Sequence, residues 1–167
     1  MKLLLMRHGN AGKPNSTEYP DDRLRPLTRP GREEISKLAS LYYKMQLRPT
    51  LCLCSPFLRA LETAQIFCET NKTTLLEEER LASGAGFGNY QEVLQENFIG
   101  QNALLMVGHE PDLSKAASAL LGINTAERLP ISFTPGGLAI LEIASIDTNS
   151  HPAKIIAFFP PTPLLLL

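Results

Sequence analysis

Short, uninterrupted apolar runs recur along the chain and predict buried β-strands, because their residues lack the spacing of a helix face. The first run, Leu3 to Met6, stops abruptly at an arginine followed by a histidine. Six strands follow from the whole pattern, at residues 2–7, 50–54, 74–76, 103–107, 137–144 and 154–159.

Between these strands, apolar residues return every three or four positions and predict amphipathic helices. Thr28 is placed to cap the first helix, and Ser55 followed by Pro56 is placed to cap the second. A short helix is expected near residues 89–97, and Gly122 would end the last helix as its C′ residue. Alternating strands and helices predict an α/β fold, with three α/β/α layers and a mostly parallel sheet.

Two polar segments and an apolar tail lie outside this alternation. Residues 10–27 form a long loop rich in Pro, Asn and Asp, and loops of that length in compact domains are usually functional or mobile. Residues 83–88 form a second, glycine-rich loop. The final stretch, FFPPTPLLLL, is expected to pack on a groove or on a neighbouring subunit.

Composition and charge narrow the function classes. A chain of 167 residues fits one domain spanning residues 1–167. The net charge of −1 argues against a general nucleic-acid or membrane surface, which would need a basic excess. Residues 2–6 are too short for a signal peptide, and no segment approaches the length of a membrane span. We therefore expect a cytoplasmic monomer whose anion site is built locally from a few cations.

The three cysteines carry little functional signal. Cys52 and Cys54 share one predicted strand and one face, and Cys68 lies on a predicted helix. A C-x-C pair without a second cluster is weak evidence for zinc. We expect all three to be reduced, buried and packed as small apolar side chains.

Basic and imidazole groups follow three separate predicted strands. Arg7 and His8 follow the first strand, Arg59 lies in the first turn after the second, and His109 follows the strand LLMVG. The carboxyl ends of parallel strands share one sheet edge, so these four side chains can converge there. With Ser55 as the cap, Arg59 would be the fourth helical residue, close to the free amides of the first turn.

These residue types suit phosphoryl transfer. Arginines bind phosphate oxygens bidentately, and a neutral histidine nitrogen can attack phosphorus to give a phosphohistidine. A second histidine can donate a hydrogen bond to the phosphoryl oxygens. The competing chemistry is metal-assisted hydrolysis, but no H-x-x-x-H, D-x-D or carboxylate cluster accompanies the histidines. We expect neither a metal nor another cofactor.

Four motifs in this order resemble the histidine phosphatase superfamily, and their spacing and the short chain resemble its SixA-type phosphohistidine phosphatases. The motifs are MRHG at 6–9, RPLT at 25–28, SPFLRA at 55–60 and VGHEP at 107–111. The resemblance implies a phosphoglycerate-mutase-like fold and a covalent phosphohistidine intermediate. It implies His8 as nucleophile, a phosphoryl pocket of Arg7, Arg59 and His109 with Arg25 as a further contact, and supporting roles for Asn10, Ser55 and Thr63.

One departure from the superfamily concerns the general acid. Its mutases and phosphomonoesterases use a carboxylic acid from the region after the third strand, where this chain reads LLEEERLASGAGFGN. Glu77–Glu79 precede the loop and are typical of a solvated face, whereas Glu110 could act as a stand-in acid. An alkoxide leaving group needs such an acid. The imidazole of phosphohistidine leaves as a neutral molecule once its ring is protonated.

Three functions remain open at this point. The leading hypothesis is a protein phosphohistidine phosphatase that acts on a histidine-containing phosphotransfer domain or a similar phosphocarrier. The second is a small-molecule phosphomonoesterase with Glu110 or Glu79 as its acid. The third is a phosphate-binding module without catalysis, which the complete set of Arg7, His8, Arg59 and His109 disfavours.

Overall fold

A computed structural model describes residues 1–14, 17–123, 132–145 and 153–161. A six-stranded sheet forms the middle layer, in the order β3-β2-β4-β1-β5-β6. Its first four members run parallel, and β5 and β6 run antiparallel to their neighbours. The strands are β1 (Lys2–Arg7), β2 (Leu51–Cys54), β3 (Thr74–Glu77), β4 (Ala103–Gly108), β5 (Leu138–Glu142) and β6 (Lys154–Phe159).

Four helices cover the two faces of this sheet. Ile35 of the first helix and Phe67 of the second are fully buried in one apolar core. Val93 of the third helix and Leu113 of the fourth are fully buried in the other core. The helices are α1 (Arg29–Lys44), α2 (Leu58–Asn71), α3 (Phe87–Asn97) and α4 (Asp112–Leu120). The α/β/α fold predicted from the sequence is therefore confirmed.

The predicted start of α1 and the predicted end of α4 are both confirmed. Thr28 caps α1, and its side chain accepts a hydrogen bond from the Gly31 amide at 3.1 Å. Gly122 is the C′ residue of α4 with φ of 70°. There the amides of Gly122 and Ile123 bond back to the carbonyls of Ala119 and Ser118, which forms a Schellman motif.

The predicted cap of α2 is wrong. Phe57 is the N-cap and has extended backbone, and the helix begins at Leu58. Ser55 instead accepts a hydrogen bond from the Phe57 amide at 3.2 Å and makes a turn before the helix. Arg59 is therefore the second helical residue rather than the fourth.

The cysteine prediction holds for burial. Cys52, Cys54 and Cys68 are all buried in the core beneath α1 and α2, each as a free thiol. Leu164 to Leu167 of the apolar tail lie outside the described residues. Where the structure describes the chain, no helix has both the length and the apolar character that crossing a membrane requires.

The parallel strands bring three chain turns to one edge of the sheet. Arg7 at the end of β1 pairs with Gly108 of β4, and Cys54 at the end of β2 pairs with Val107 of β4. His8, Ser55 and His109 are the next residues along each strand. This edge is where the charged cavity of the molecule lies.

Candidate active site

A cavity of about 670 Å³ opens at the carboxyl ends of β1, β2 and β4. The long loop between β1 and α1 forms one wall, and the turn after β4 forms another. Its lining includes Arg7, His8, Asp22, Arg25, Arg59 and His109.

His8 presents an unprotonated nitrogen inside this cavity. Its Nδ1 lies 2.7 Å from the carbonyl oxygen of Gly9, which can only accept, so Nδ1 carries the ring proton. Nε2 therefore keeps its lone pair. Burial lowers the His8 pKa to about 3, with the charges of Arg59 and Arg7 adding to the effect. At neutral pH the ring is a neutral imidazole with a nucleophilic Nε2.

The turn after His8 is tied to helix α2. The Gly9 amide donates to Thr63 Oγ1 at 3.0 Å, and that hydroxyl donates to the Arg59 carbonyl at 2.7 Å. A Cβ at Gly9 would lie 2.7 Å from Ile35 Cγ1, so this close approach requires glycine. The Asn10 carbonyl accepts from the Thr28 amide at 2.9 Å and joins the same turn to the start of α1.

Arg59 extends from His8 to the loop that forms one wall of the cavity. Its Nε lies 3.2 Å from His8 Nε2 and donates to that lone pair. Its Nη1 donates to the Asp22 carbonyl at 2.9 Å, and its Nη2 lies 3.1 Å from Asp22 Oδ2. The side chain is almost fully buried. Arg59 is therefore fixed in position before any phosphoryl group binds.

Arg7 is held from one side only. Its Nη1 donates to the carbonyl of Phe133 at 2.6 Å. Its Nε is buried and has no hydrogen-bond partner within the described parts of the chain. Burial lowers the Arg7 pKa, and the charge of Glu110 partly offsets this effect. The guanidinium also lines the cavity, where its positive charge suits an anion.

His109 faces His8 across the cavity, with ring centroids 5.1 Å apart. Its Nε2 lies 2.8 Å from Ser55 Oγ, which also accepts from the Phe57 amide. Its Nδ1 is buried, with no partner among the residues that the structure describes. Burial lowers the His109 pKa to about 2, and the charges of His8 and Arg59 contribute. If the Ser55 hydroxyl donates to Nε2, Nδ1 carries the ring proton.

Arg25 lines the cavity, as the resemblance implied, but two of its nitrogens serve the loop. Its Nε donates to Asp22 Oδ1 at 2.8 Å, and its Nη1 donates to the Gly12 carbonyl at 2.6 Å. A phosphate contact by Arg25 stays a prediction. Asp22, which sequence reasoning missed, bridges Arg25 and Arg59. Its spacing of three residues before the arginine of RPLT is the signal that could have identified it.

The proposed acids have other partners. Glu110 lines the cavity, but Ser114 Oγ lies 2.7 Å from both carboxylate oxygens and the Phe133 amide donates to Oε1 at 2.8 Å. Glu110 thus supports the segment whose carbonyl holds Arg7. Glu79 forms an exposed ion pair with Arg23 at 3.2 Å. The described residues contain no group of three or more metal-ligating side chains placed to hold an ion.

The sequence of this chain matches a known protein family. The sequence model of the histidine phosphatase superfamily (branch 1) matches residues 3–102. An uncharacterized protein from Picosynechococcus sp. is 30% identical over 131 residues, which cover 77% of this chain and 78% of that protein.

Solved structures show the same fold. The protein histidine phosphatase SixA in complex with tungstate has a TM-score of 0.82 at 23% identity, over 98% of this chain and 99% of SixA. The mycobacterial glucosyl-3-phosphoglycerate phosphatase Rv2419c has a TM-score of 0.74 at 16% identity, over 92% of this chain and 96% of that one. The superfamily match covers more than half of the chain and includes three of the four residues expected at the phosphoryl pocket, and on this ground the chain belongs to branch 1 of the histidine phosphatase superfamily.

Proposed function

We propose that this protein is a metal-independent phosphohistidine phosphatase that works through a covalent phospho-His8 intermediate. Its proposed substrate is a phosphohistidine on another protein, such as a histidine-containing phosphotransfer domain. The observation that carries the proposal is the state of His8, a buried neutral imidazole that keeps the Nε2 lone pair and lines a cavity together with three arginines.

In the first half-reaction, His8 Nε2 attacks phosphorus. The new bond uses the lone pair that accepts from Arg59 Nε in the free protein, so this N–H becomes available to a phosphoryl oxygen. The Arg7 guanidinium and the His109 ring line the same cavity, and in this mechanism they donate to the other phosphoryl oxygens. Donors that are fixed before the reaction stabilise the transition-state charge without reorganising.

In the second half-reaction, water attacks the phospho-His8 phosphorus on the face that the leaving group has left. The P–N bond to His8 breaks, its electron pair returns to Nε2, and the water proton ends on phosphate or solvent. The Gly9 carbonyl keeps the proton on Nδ1 throughout, which preserves the same nucleophilic nitrogen for the next cycle.

The surroundings of the carboxylates favour a P–N substrate. An ester needs an acid to protonate its alkoxide. Asp22 accepts from two arginines, and Glu110 accepts from Ser114 and a backbone amide. A protonated phosphohistidine ring needs no acid, because imidazole departs as a neutral molecule.

A phosphomonoesterase is the second candidate, and the position of Glu110 in the cavity lining favours it. The similar fold of the mycobacterial glucosyl-3-phosphoglycerate phosphatase is consistent with either substrate class. Glu110→Gln separates the two candidates. If Glu110 is the acid, this variant should lose activity on alkyl phosphates while it keeps activity on aryl phosphates, whose leaving groups need little protonation.

The deciding experiment is phosphoryl trapping without added metal. The wild type and His8→Ala are incubated with a phosphohistidine-bearing phosphotransfer domain and, separately, with an aryl phosphate. Phosphate release from the phosphohistidine donor, with acid-labile label on the protein only when His8 is present, is the expected result. Release from the aryl phosphate alone would contradict the proposed substrate, and equal release by His8→Ala would contradict the nucleophile.

A further inference from the structure

Asp22 and His8 both contact the guanidinium of Arg59, and Asp22 lies on the more exposed side of the cavity. Arg59 contacts buried His8 through Nε at 3.2 Å and Asp22 through Nη2 at 3.1 Å. The His8 residue is 8% exposed, whereas the Asp22 side chain is 42% exposed. Both residues line the cavity, and Asp22 is the more exposed of the two.

The Asp22 carboxylate keeps unused acceptor capacity. Oδ1 accepts from Arg25 Nε at 2.8 Å, and Oδ2 accepts from Arg59 Nη2. An ionised carboxylate oxygen can accept two hydrogen bonds, so one lone pair on each oxygen is left over by the partners that the described residues provide. Partial burial acts to raise the Asp22 pKa, but the Arg25 hydrogen bond and the charge of Arg59 lower it below its ordinary value. Asp22 is thus suited to accept a proton-bearing group rather than to supply a proton.

The direction of attack places the leaving group near this carboxylate. A nucleophile that displaces a group in line approaches phosphorus opposite the bond that breaks. His8 attacks from the buried end of the cavity, so the leaving atom lies toward the solvent end. Asp22 is the carboxylate that Arg59 connects to the nucleophile on that side.

We propose that Asp22 recognises the leaving group: its carboxylate accepts the ring N–H of the departing imidazole and repels leaving groups that carry negative charge. This inference rests on the proposed phosphohistidine substrate. The bond from His8 Nε2 to phosphorus forms as the substrate P–N bond breaks, and the electron pair of that bond passes to the leaving ring nitrogen. The ring proton that was bonded to Asp22 stays on the imidazole, which departs neutral.

The test compares leaving groups rather than overall activity. The wild type, Asp22→Asn and Asp21→Asn are assayed on phosphoimidazole and on p-nitrophenyl phosphate. Asp21 is the matched control, because it precedes Asp22 in the same turn and caps it without lining the cavity. We expect Asp22→Asn to lose about tenfold more kcat/KM on phosphoimidazole than on the aryl phosphate, the size of one charge-assisted hydrogen bond. Asp21→Asn should leave this ratio unchanged.

The second measurement looks for a relative gain of activity in Asp22→Asn on an ester with an anionic leaving group. Misfolding of the variant cannot produce such a gain. Phenyl phosphate and a carboxyphenyl phosphate differ only in a negative charge on the leaving group. Asp22→Asn should raise the relative kcat/KM for the carboxyphenyl ester, because the repelling charge has gone.

The outcomes separate the inference from the proposed function. Equal losses on phosphoimidazole and aryl phosphate, without the gain on the anionic ester, would mean that Asp22 only holds the two arginines. That result overturns the inference while phosphohistidine turnover stands. A wild type that hydrolyses aryl phosphate but neither phosphoimidazole nor a phosphohistidine protein overturns both.

Discussion

The Nε of Arg59 lies 3.2 Å from Nε2 of His8, so the guanidinium that should stabilise the transition state also contacts the nucleophile of the free protein. This contact favours the tautomer with an unprotonated Nε2, because the lone pair must accept the Arg59 N–H. In the proposed mechanism, His8 and Arg59 are therefore aligned before substrate arrives.

Removal of this guanidinium should damage chemistry more than folding. We expect Arg59→Ala to lower kcat by about 100- to 1,000-fold, the usual effect of deleting one preorganised donor. Arg59→Lys should recover little, because an ammonium cannot contact His8, Asp22 and a phosphoryl oxygen in one plane. Steady-state kinetics on phosphoimidazole measures both effects. Arg48→Ala, which removes a guanidinium stacked on the Tyr43 ring, is the control, and an unchanged kcat in Arg59→Ala would contradict the assigned role.

The hydroxyl of Thr63 should matter for both stability and activity. Thr63→Val keeps the shape of the side chain but leaves the buried Gly9 amide without its acceptor, which typically costs about 1–3 kcal/mol of unfolding free energy. Because that amide follows His8, kcat should fall as well. Thr70→Val is matched to it, since Thr70 also donates to the carbonyl four residues earlier in α2 but does not contact the turn. Chemical unfolding and steady-state kinetics of both variants are the measurements. Equal losses of stability and kcat in Thr63→Val and Thr70→Val would disprove the role of the Thr63 hydroxyl in holding the turn.

Acid should destabilise the protein through its two buried histidines. Both folded-state pKa values lie far below the ordinary value of 6.5, at about 3 for His8 and about 2 for His109. Below pH 6.5 the unfolded chain binds protons that the folded chain does not, so stability falls as pH falls toward the folded pKa values. Between about pH 7 and about pH 5, each imidazole should remove about 2 kcal/mol of unfolding free energy.

Urea unfolding at several pH values measures this slope. His109→Asn should flatten it, because the variant has one buried imidazole fewer. A slope that is the same in the wild type and the variant would mean that His109 titrates normally.

Chelation should leave turnover unchanged. Phosphoryl charge in the proposed mechanism is balanced by Arg7, Arg59 and His109, and the described residues offer no cluster of metal ligands. Incubation with EDTA followed by the phosphoimidazole assay is the measurement. Inhibition that a divalent cation reverses would favour a metal-assisted mechanism instead.

The sequence predicts the strand-end residues well, because burial and chain direction determine where strands end. His8 and His109 follow fully apolar runs, and parallel pairing of β1 with β4 brings them together. Arg59 lines the cavity but is the second rather than the fourth helical residue, since Ser55 bonds with His109 and the Phe57 amide instead of capping. Asp22 was missed because it lies in a long polar loop where its three-residue spacing to Arg25 is a weak signal, and its other partner, Arg59, belongs to a distant segment.

Arg7 depends on a residue far along the chain. Its guanidinium is held by the carbonyl of Phe133, and its strand is bordered by β5 as well as by β4. A ribosome must therefore synthesise most of the protein before the first nine residues can adopt their active arrangement. A nascent chain that ends before residue 133 lacks both β5 beside β1 and the carbonyl that holds Arg7, so we expect such fragments to be inactive on phosphoryl substrates.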